Sequence, residues 1–122
     1  VPYKIVVDTR EQTPLEFGPY KDCEGMVRKC LKVGDYTIEG MESIACIERK
    51  ASTVEIARNF GIDRVRFYKE LEKMKDFQYK FIVCEFSMED MIKYPENSRV
   101  PKSALAKLKF DGLWNTSNLC RQ

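Results

Sequence analysis

Two apolar runs stand out along this chain. "YKIVVD" (residues 3–8) and "YKFIVCEF" (residues 79–86) are continuous and rich in β-branched and aromatic residues. Such runs predict strands, and the second is of the kind buried on both faces of a mixed or parallel sheet. "MVRKCLKV" (26–33) sets Val27, Lys29 and Leu31 against Arg28, Cys30 and Lys32 without a clean face, and is read as a third strand. "YTIEGMESIACIERK" (36–50) has the form of a hairpin with Glu39, Gly40, Met41 and Glu42 near its turn. Between the first two strands, Pro14, Gly18 and Pro19 punctuate a loop.

The period then changes. Ser52-x-x-Glu55 is a capping-box pattern and predicts a short helix through about Asn59. Gly61 interrupts, and a second helix is expected from about Asp63 to Lys75, with Phe67, Tyr68, Leu71 and Met74 on one face. Arg64 projects onto that face, whereas Arg66, Lys69 and Lys73 point away. "SMEDMIKY" suits a short helix, and "PKSALAKLKF" reads as a helix with Pro101 near its start. Strands followed by helices and a further strand predict an α/β fold, with helices packed on a central mixed sheet.

The 122 residues suit one domain with a real core, and the apolar and charged fractions, 43% and 33%, describe a soluble globular protein. No apolar run approaches the ~18 residues of a membrane span, so no membrane partner is expected. The net charge of +2 neither demands nor excludes nucleic acid. Five cysteines without a C-x-x-C pair fit a reduced, intracellular protein, with Cys46 and Cys84 as small buried hydrophobes. Histidine is absent. That removes His-based triads, His general bases and His-ligated zinc together.

What chemistry remains is carried by the hairpin. With the turn centred near Met41, residues whose numbers sum to about 83 face each other, which sets Asp35 beside Glu48. Glu48 and Lys50 are two apart and project from one face of their strand. Two carboxylates held within ~4–5 Å repel, and one protonates unless a cation joins them. With only oxygen donors on offer, the natural cation is Mg²⁺ or Mn²⁺. Such an ion polarises a phosphoryl oxygen, while Lys50 orients the attacking water or neutralises developing charge.

An acid, a spacer and Glu-x-Lys on a hairpin resemble the PD-(D/E)xK nuclease pattern. The order of "VVDTREQTPLEF", "VGDY", "IERKAST" and "YKFIVCEF" is more specific still. It resembles the nuclease domain of the XPF family of structure-specific endonucleases, over about residues 3–86. The resemblance implies a restriction-endonuclease-like α/β core with a central mixed sheet flanked by helices. It treats 1–122 as one nuclease domain in which 87–122 form a C-terminal helical extension. It implies Mg²⁺- or Mn²⁺-dependent hydrolysis of DNA at flaps, forks or branched junctions, in a stand-alone form similar to phage and bacterial modules. DNA is then the partner, with a second copy or a partner protein as a further one.

Carried over residue by residue, the family's acids fall on Asp8, Glu11 and Asp35, and its ERK on Glu48, Arg49 and Lys50. The expected metal ligands are Asp35, Glu48, Glu11 and Asp8, and the expected catalytic residues are Glu11, Asp35, Glu48, Arg49 and Lys50. Arg10, Arg64, Arg66, Lys69 and Lys102 are the expected DNA contacts, set against the plainer reading of solvated basic faces. Strand alternation turns Arg49 away from Glu48, so it either pairs with Asp8 or Glu11 or meets a phosphate. The aromatics Phe67, Tyr68, Tyr79, Phe81 and Phe86 are expected in the core.

The pattern is broken at one point. The Asp that ends the family's ERKxxxD is Val54 here, with Glu55 next to it. Val54 and Glu55 lie about 100° apart on a helix, and the capping box commits Glu55 to backbone N–H groups. Glu55 is therefore not expected to replace the missing acid, and Val54→Asp is expected to be tolerated in a helix's first turn. A second class of function stays open, a non-catalytic DNA-binding or scaffolding module. Degenerate partners of XPF-type enzymes typically lose ERK, which is intact here.

Overall fold

A computed structural model of the protein describes residues 1–96. Five strands and three helices occur among them, in the order β1 (Tyr3–Asp8), β2 (Cys23–Lys29), β3 (Tyr36–Ile38), β4 (Ala45–Lys50), α1 (Thr53–Phe60), α2 (Arg64–Met74), β5 (Tyr79–Cys84) and α3 (Met88–Lys93). The strands form one mixed sheet in the order β2-β1-β3-β4-β5. β1 pairs parallel with β2 and antiparallel with β3, and β3 pairs antiparallel with β4. The helix expected over "PKSALAKLKF", and Lys102 with it, lie outside the described residues.

The described residues divide into two compact units, Val1–Arg49 with Glu72–Val83, and Lys50–Leu71 with residues 84–96. In the first, Ile5, Val7 and Tyr36 form a buried cluster against which Tyr3, Leu15, Phe17, Cys23 and Ile47 pack. Parallel strands need a crossover of a dozen or more residues, usually a helix. Here the link between β1 and β2 is irregular, and its Leu15 and Phe17 supply the apolar cover, the Phe17 ring meeting Tyr36 edge-on at 5.5 Å. β2 runs over Cys23–Lys29 rather than the expected 26–33. Its start is set by its partner, Tyr3 pairing with Cys23 and Asp8 with Lys29. That register leaves Leu31 and Val33 in the turn that leads to β3.

In the second unit Ser52 caps α1, its Oγ accepting the Glu55 N–H at 3.2 Å. The Glu55 carboxylate reaches back to the Ala51 N–H at 2.9 Å, one residue beyond the cap itself. Val54 packs against the buried pair Ala57 and Tyr94. An acid at 54 would sit against that apolar cluster, a cost that the first-turn argument for tolerance left out. α2 begins and ends within a residue of expectation, but its buried stripe is narrower. Phe67 and Met74 are buried, whereas Tyr68 is exposed and Arg64 stacks on it, 5.4 Å from the ring centroid.

β5 departs most from expectation. All six of its residues are exposed, Tyr79, Phe81 and Cys84 among them. Among the described residues it is the outermost strand beside β4, held there by the Tyr79 N–H on the Ile44 carbonyl at 2.9 Å. A continuous apolar run needs cover on both faces to be buried, and the described residues do not provide it. The four described cysteines are free thiols, of which Cys46 is buried as expected and Cys84 is not. No described helix is long and apolar enough to cross a membrane.

Candidate functional site

Tyr36 of β3 pairs with Ile47 of β4, so paired residue numbers sum to 83, as the hairpin pattern predicted. Gly34 makes the entry to β3 possible. It has φ +80°, and a Cβ there would lie 3.1 Å from the Ile47 carbonyl oxygen, so both conformation and space call for glycine. Asp35 follows, clasped to both neighbours. Its N–H donates to Ile47 O at 2.7 Å and its carbonyl accepts the Asp8 N–H at 2.8 Å. Its carboxylate Oδ2 accepts the Arg49 N–H at 2.8 Å. These bonds hold the Asp35 backbone to Ile47 and its carboxylate to Arg49.

The two faces of β4 carry different chemistry. Ile47 belongs with the Tyr36 cluster, and Arg49, two residues on, shares that side. The Arg49 Nη1 meets Glu11 Oε2 at 3.0 Å and donates to the Thr13 carbonyl at 2.6 Å. The Tyr36 hydroxyl donates to the same Glu11 oxygen at 2.8 Å and accepts the Leu15 N–H at 3.0 Å. Burial raises the Tyr36 pKa, so the phenol stays protonated and able to donate. Glu48 occupies the opposite side with Cys46, whose thiol is pushed up by burial and then by the Glu48 charge. The choice left open for Arg49 resolves in favour of pairing with Glu11.

Asp8, also expected as a ligand, is 1% exposed and committed to protein partners. Oδ1 accepts the Leu31 N–H at 2.9 Å and Oδ2 accepts Arg10 Nε at 2.7 Å. Desolvation works to raise the Asp8 pKa, but the bonds from Leu31 and Arg10 outweigh it and hold the carboxyl below its ordinary value. Arg10 also donates from Nη2 to the Leu31 carbonyl at 3.0 Å, so this expected DNA contact ties β1 to the turn before Asp35. No residue pattern signals this, because Leu31 is a partner only through its backbone.

In the second unit Lys50 is 3% exposed, with Nζ 3.7 Å from Glu55 Oε1 and 5.0 Å from the Phe67 ring centroid. Glu55 thus serves the helix start and this ammonium together. Arg66 and Arg58 both meet Asp63, at 3.6 and 3.7 Å, and Arg64 reaches the Tyr68 hydroxyl at 3.3 Å. Arg64, Arg66 and Lys69 are all exposed. Exposed pairs of this kind contribute little to stability and leave the side chains accessible to a phosphate.

Among the described residues no three His, Cys, Asp or Glu side chains gather into a ready cation cage. Mg²⁺ is usually held by one or two carboxylates, with waters and substrate oxygens completing the shell. Two acids at one end of the hairpin would suit that mode, and their all-oxygen chemistry suits a hard cation. Comparisons with known proteins add no family: no family model matches the chain, and no curated protein sequence matches it.

Proposed function

We propose that this protein is a divalent-metal-dependent DNA endonuclease of the PD-(D/E)xK type, related to the XPF nucleases. The observation that supports the reading is the β3–β4 hairpin, in which Asp35 and Glu48 flank the Tyr36–Ile47 pair and the Asp35 carboxylate accepts the Arg49 N–H. Asp35 and Glu48 are the carboxylates that would hold Mg²⁺ or Mn²⁺. When bound there, such a cation would supply Lewis-acid polarisation of a phosphodiester oxygen. The chain's own part is to fix the two acids before substrate arrives. Asp35 is fixed by the Arg49 N–H, and β1 steadies its backbone through the Asp8 N–H. Arg64, Arg66 and Lys69 are the cations offered to the DNA backbone, and contacts of that kind make binding weaken as salt rises. Lys50 is assigned to charge developing at the scissile phosphate, on the strength of its place two residues beyond Glu48.

The test is cleavage of labelled flap, fork, single-stranded and duplex DNA with Mg²⁺ or Mn²⁺. Cutting of at least one substrate is expected, with silence in excess chelator. Asp35→Asn and Glu48→Gln are expected to abolish cutting and leave the fold intact. Cleavage that persists in chelator would sink the metal reading. Failure to cut any substrate would favour a DNA-binding scaffold instead.

A further inference from the structure

We propose that Asp8 and Arg10 are positioning residues for Asp35, together closing the short loop that leads to it. The consequence for metal binding rests on the nuclease reading; the staple is a property of the fold.

The loop runs from Leu31 to Asp35, and Asp8, the last residue of β1, holds both of its ends. The Asp8 N–H donates to the Asp35 carbonyl at 2.8 Å, while Oδ1 accepts the Leu31 N–H at 2.9 Å. Arg10 completes the hold on Leu31. Its Nη2 donates to the Leu31 carbonyl at 3.0 Å and its Nε to Asp8 Oδ2 at 2.7 Å. One ion pair therefore grips both the N–H and the carbonyl of a single buried residue. The Asp8 side chain is 2% exposed and both of its oxygens are engaged, so the carboxylate serves the loop. Bonds from charged or backbone donors are what make a buried carboxylate tolerable.

The loop needs such a staple. Residues 32–35 form a bend outside any strand, and Gly34 within it has φ +80°. Glycine loses more conformational freedom on ordering than any other residue, so a bend built on it needs anchors at its ends. Tying Leu31 and the Asp35 carbonyl to one residue leaves the bend little freedom. That fixes where the Asp35 side chain leaves the backbone, and so its approach to the Arg49 N–H. The hold at Leu31 requires the fork of a guanidinium, with two nitrogens aimed at a carboxylate and a carbonyl together. A lysine there keeps the charge but offers one nitrogen.

The experiment is Mn²⁺ binding to the full chain, followed by electron paramagnetic resonance, together with the amide NMR spectrum of the metal-free protein. Arg10→Lys is the main variant, because it keeps the charge and changes a side chain that is 71% exposed, which the fold should survive. It is expected to shift the Leu31 and Asp35 amide resonances. It is also expected to weaken Mn²⁺ binding about tenfold, the lower end for groups that orient a metal's ligands. Asp8→Asn is expected to weaken binding at least as much, at unchanged stoichiometry, and Asp35→Asn to remove saturable binding. The double variant of Asp8 and Arg10 is expected to be no worse than the stronger single one, because the pair acts as a unit. An Arg10 that acts only through its charge, or only on a phosphate, would leave Arg10→Lys like the parent in both measurements. That result would overturn the proposal. So would Asp8→Asn abolishing Mn²⁺ binding as fully as Asp35→Asn while Arg10→Lys has no effect, which would make Asp8 a ligand. If the parent chain binds no Mn²⁺, the nuclease reading fails, and the Asp35 amide in Arg10→Lys still decides whether the staple positions it. Should Asp8→Asn not fold, Arg10→Lys alone carries both comparisons.

Discussion

β1 and β5 are written in nearly the same letters, YKIVVD and YKFIVC, and end in opposite environments. Val6 and Val7 are 0% and 1% exposed, whereas Phe81 and Val83 are 57% and 40% exposed. The difference lies in their neighbours. β1 runs between β2 and β3, and the loop after it lays Leu15 and Phe17 over the Tyr36 cluster that Ile5 and Val7 share. β5 has β4 on one edge and is outermost among the described residues. Burying a Val side chain is worth roughly 1.5–3 kcal/mol, so β1 contributes stability that β5 does not. An apolar strand is buried by what covers it.

The sharpest way to break this comparison is to put the same charge in each strand. Val7→Asp places an unpaired carboxyl in the β1 core and should cost about 3–5 kcal/mol, the scale of an uncompensated buried charge. Val83→Asp at an exposed position should stay within about 0.5 kcal/mol. Urea unfolding of both variants measures the gap, and equal losses would mean that β5 is covered in solution.

The residue that ends β1 offers the next test. Asp8→Asn should destabilise by about 1–3 kcal/mol, because Leu31 and Arg10 lose a charged acceptor. Its sign with pH is fixed. The folded pKa lies below the unfolded one, so the stabilisation is present above ~4, the ordinary Asp value. It is lost as pH falls from there through the folded value. The parent should therefore lose melting temperature over that window, and the Asp8→Asn variant should lose less. Parallel curves would show that Asp8 is not held in its charged form.

Between the two strands in burial lies Val54, packed on Ala57 and Tyr94. Val54→Asp should cost about 1–2 kcal/mol, since a helix's first turn returns only about 0.3–1 of the desolvation penalty. A neutral result in thermal melts would restore the tolerance expected from the helix end alone. Glu55→Gln should have the smallest effect, about 1 kcal/mol or less. Its amide oxygen can still accept from Ala51, and its pairing with Lys50 is partly screened by solvent. If that variant also lost cleavage by two orders of magnitude, Glu55 would have taken over the role of the acid missing at 54.

The hairpin and the helix starts around the candidate site were legible in the sequence. The hairpin register follows from a turn near Met41 and a period of two, and Tyr36 opposite Ile47 is the pairing it requires. The start of α1 follows from Ser52 and Glu55, three residues apart. Both α1 and α2 fall within a residue or two of their expected limits. What could not be read was which partners each acid would meet. Asp8 and Glu11 look alike in "DTRE", yet Asp8 closes on a neighbouring turn and Glu11 on Arg49 and Tyr36.

The sequence by itself determined α1, α2, the hairpin register and the helix cap, because each rests on interactions between residues a few positions apart. Turn chemistry, strand period and capping act at that range. Only the tertiary structure decided that YKIVVD is buried and YKFIVC exposed, that Val54 is a packing residue, and that Glu11 meets partners 25 and 38 positions away. These depend on strand order and on the path of the loop between β1 and β2. A local pattern of residues does not encode which distant side chain a carboxylate will meet.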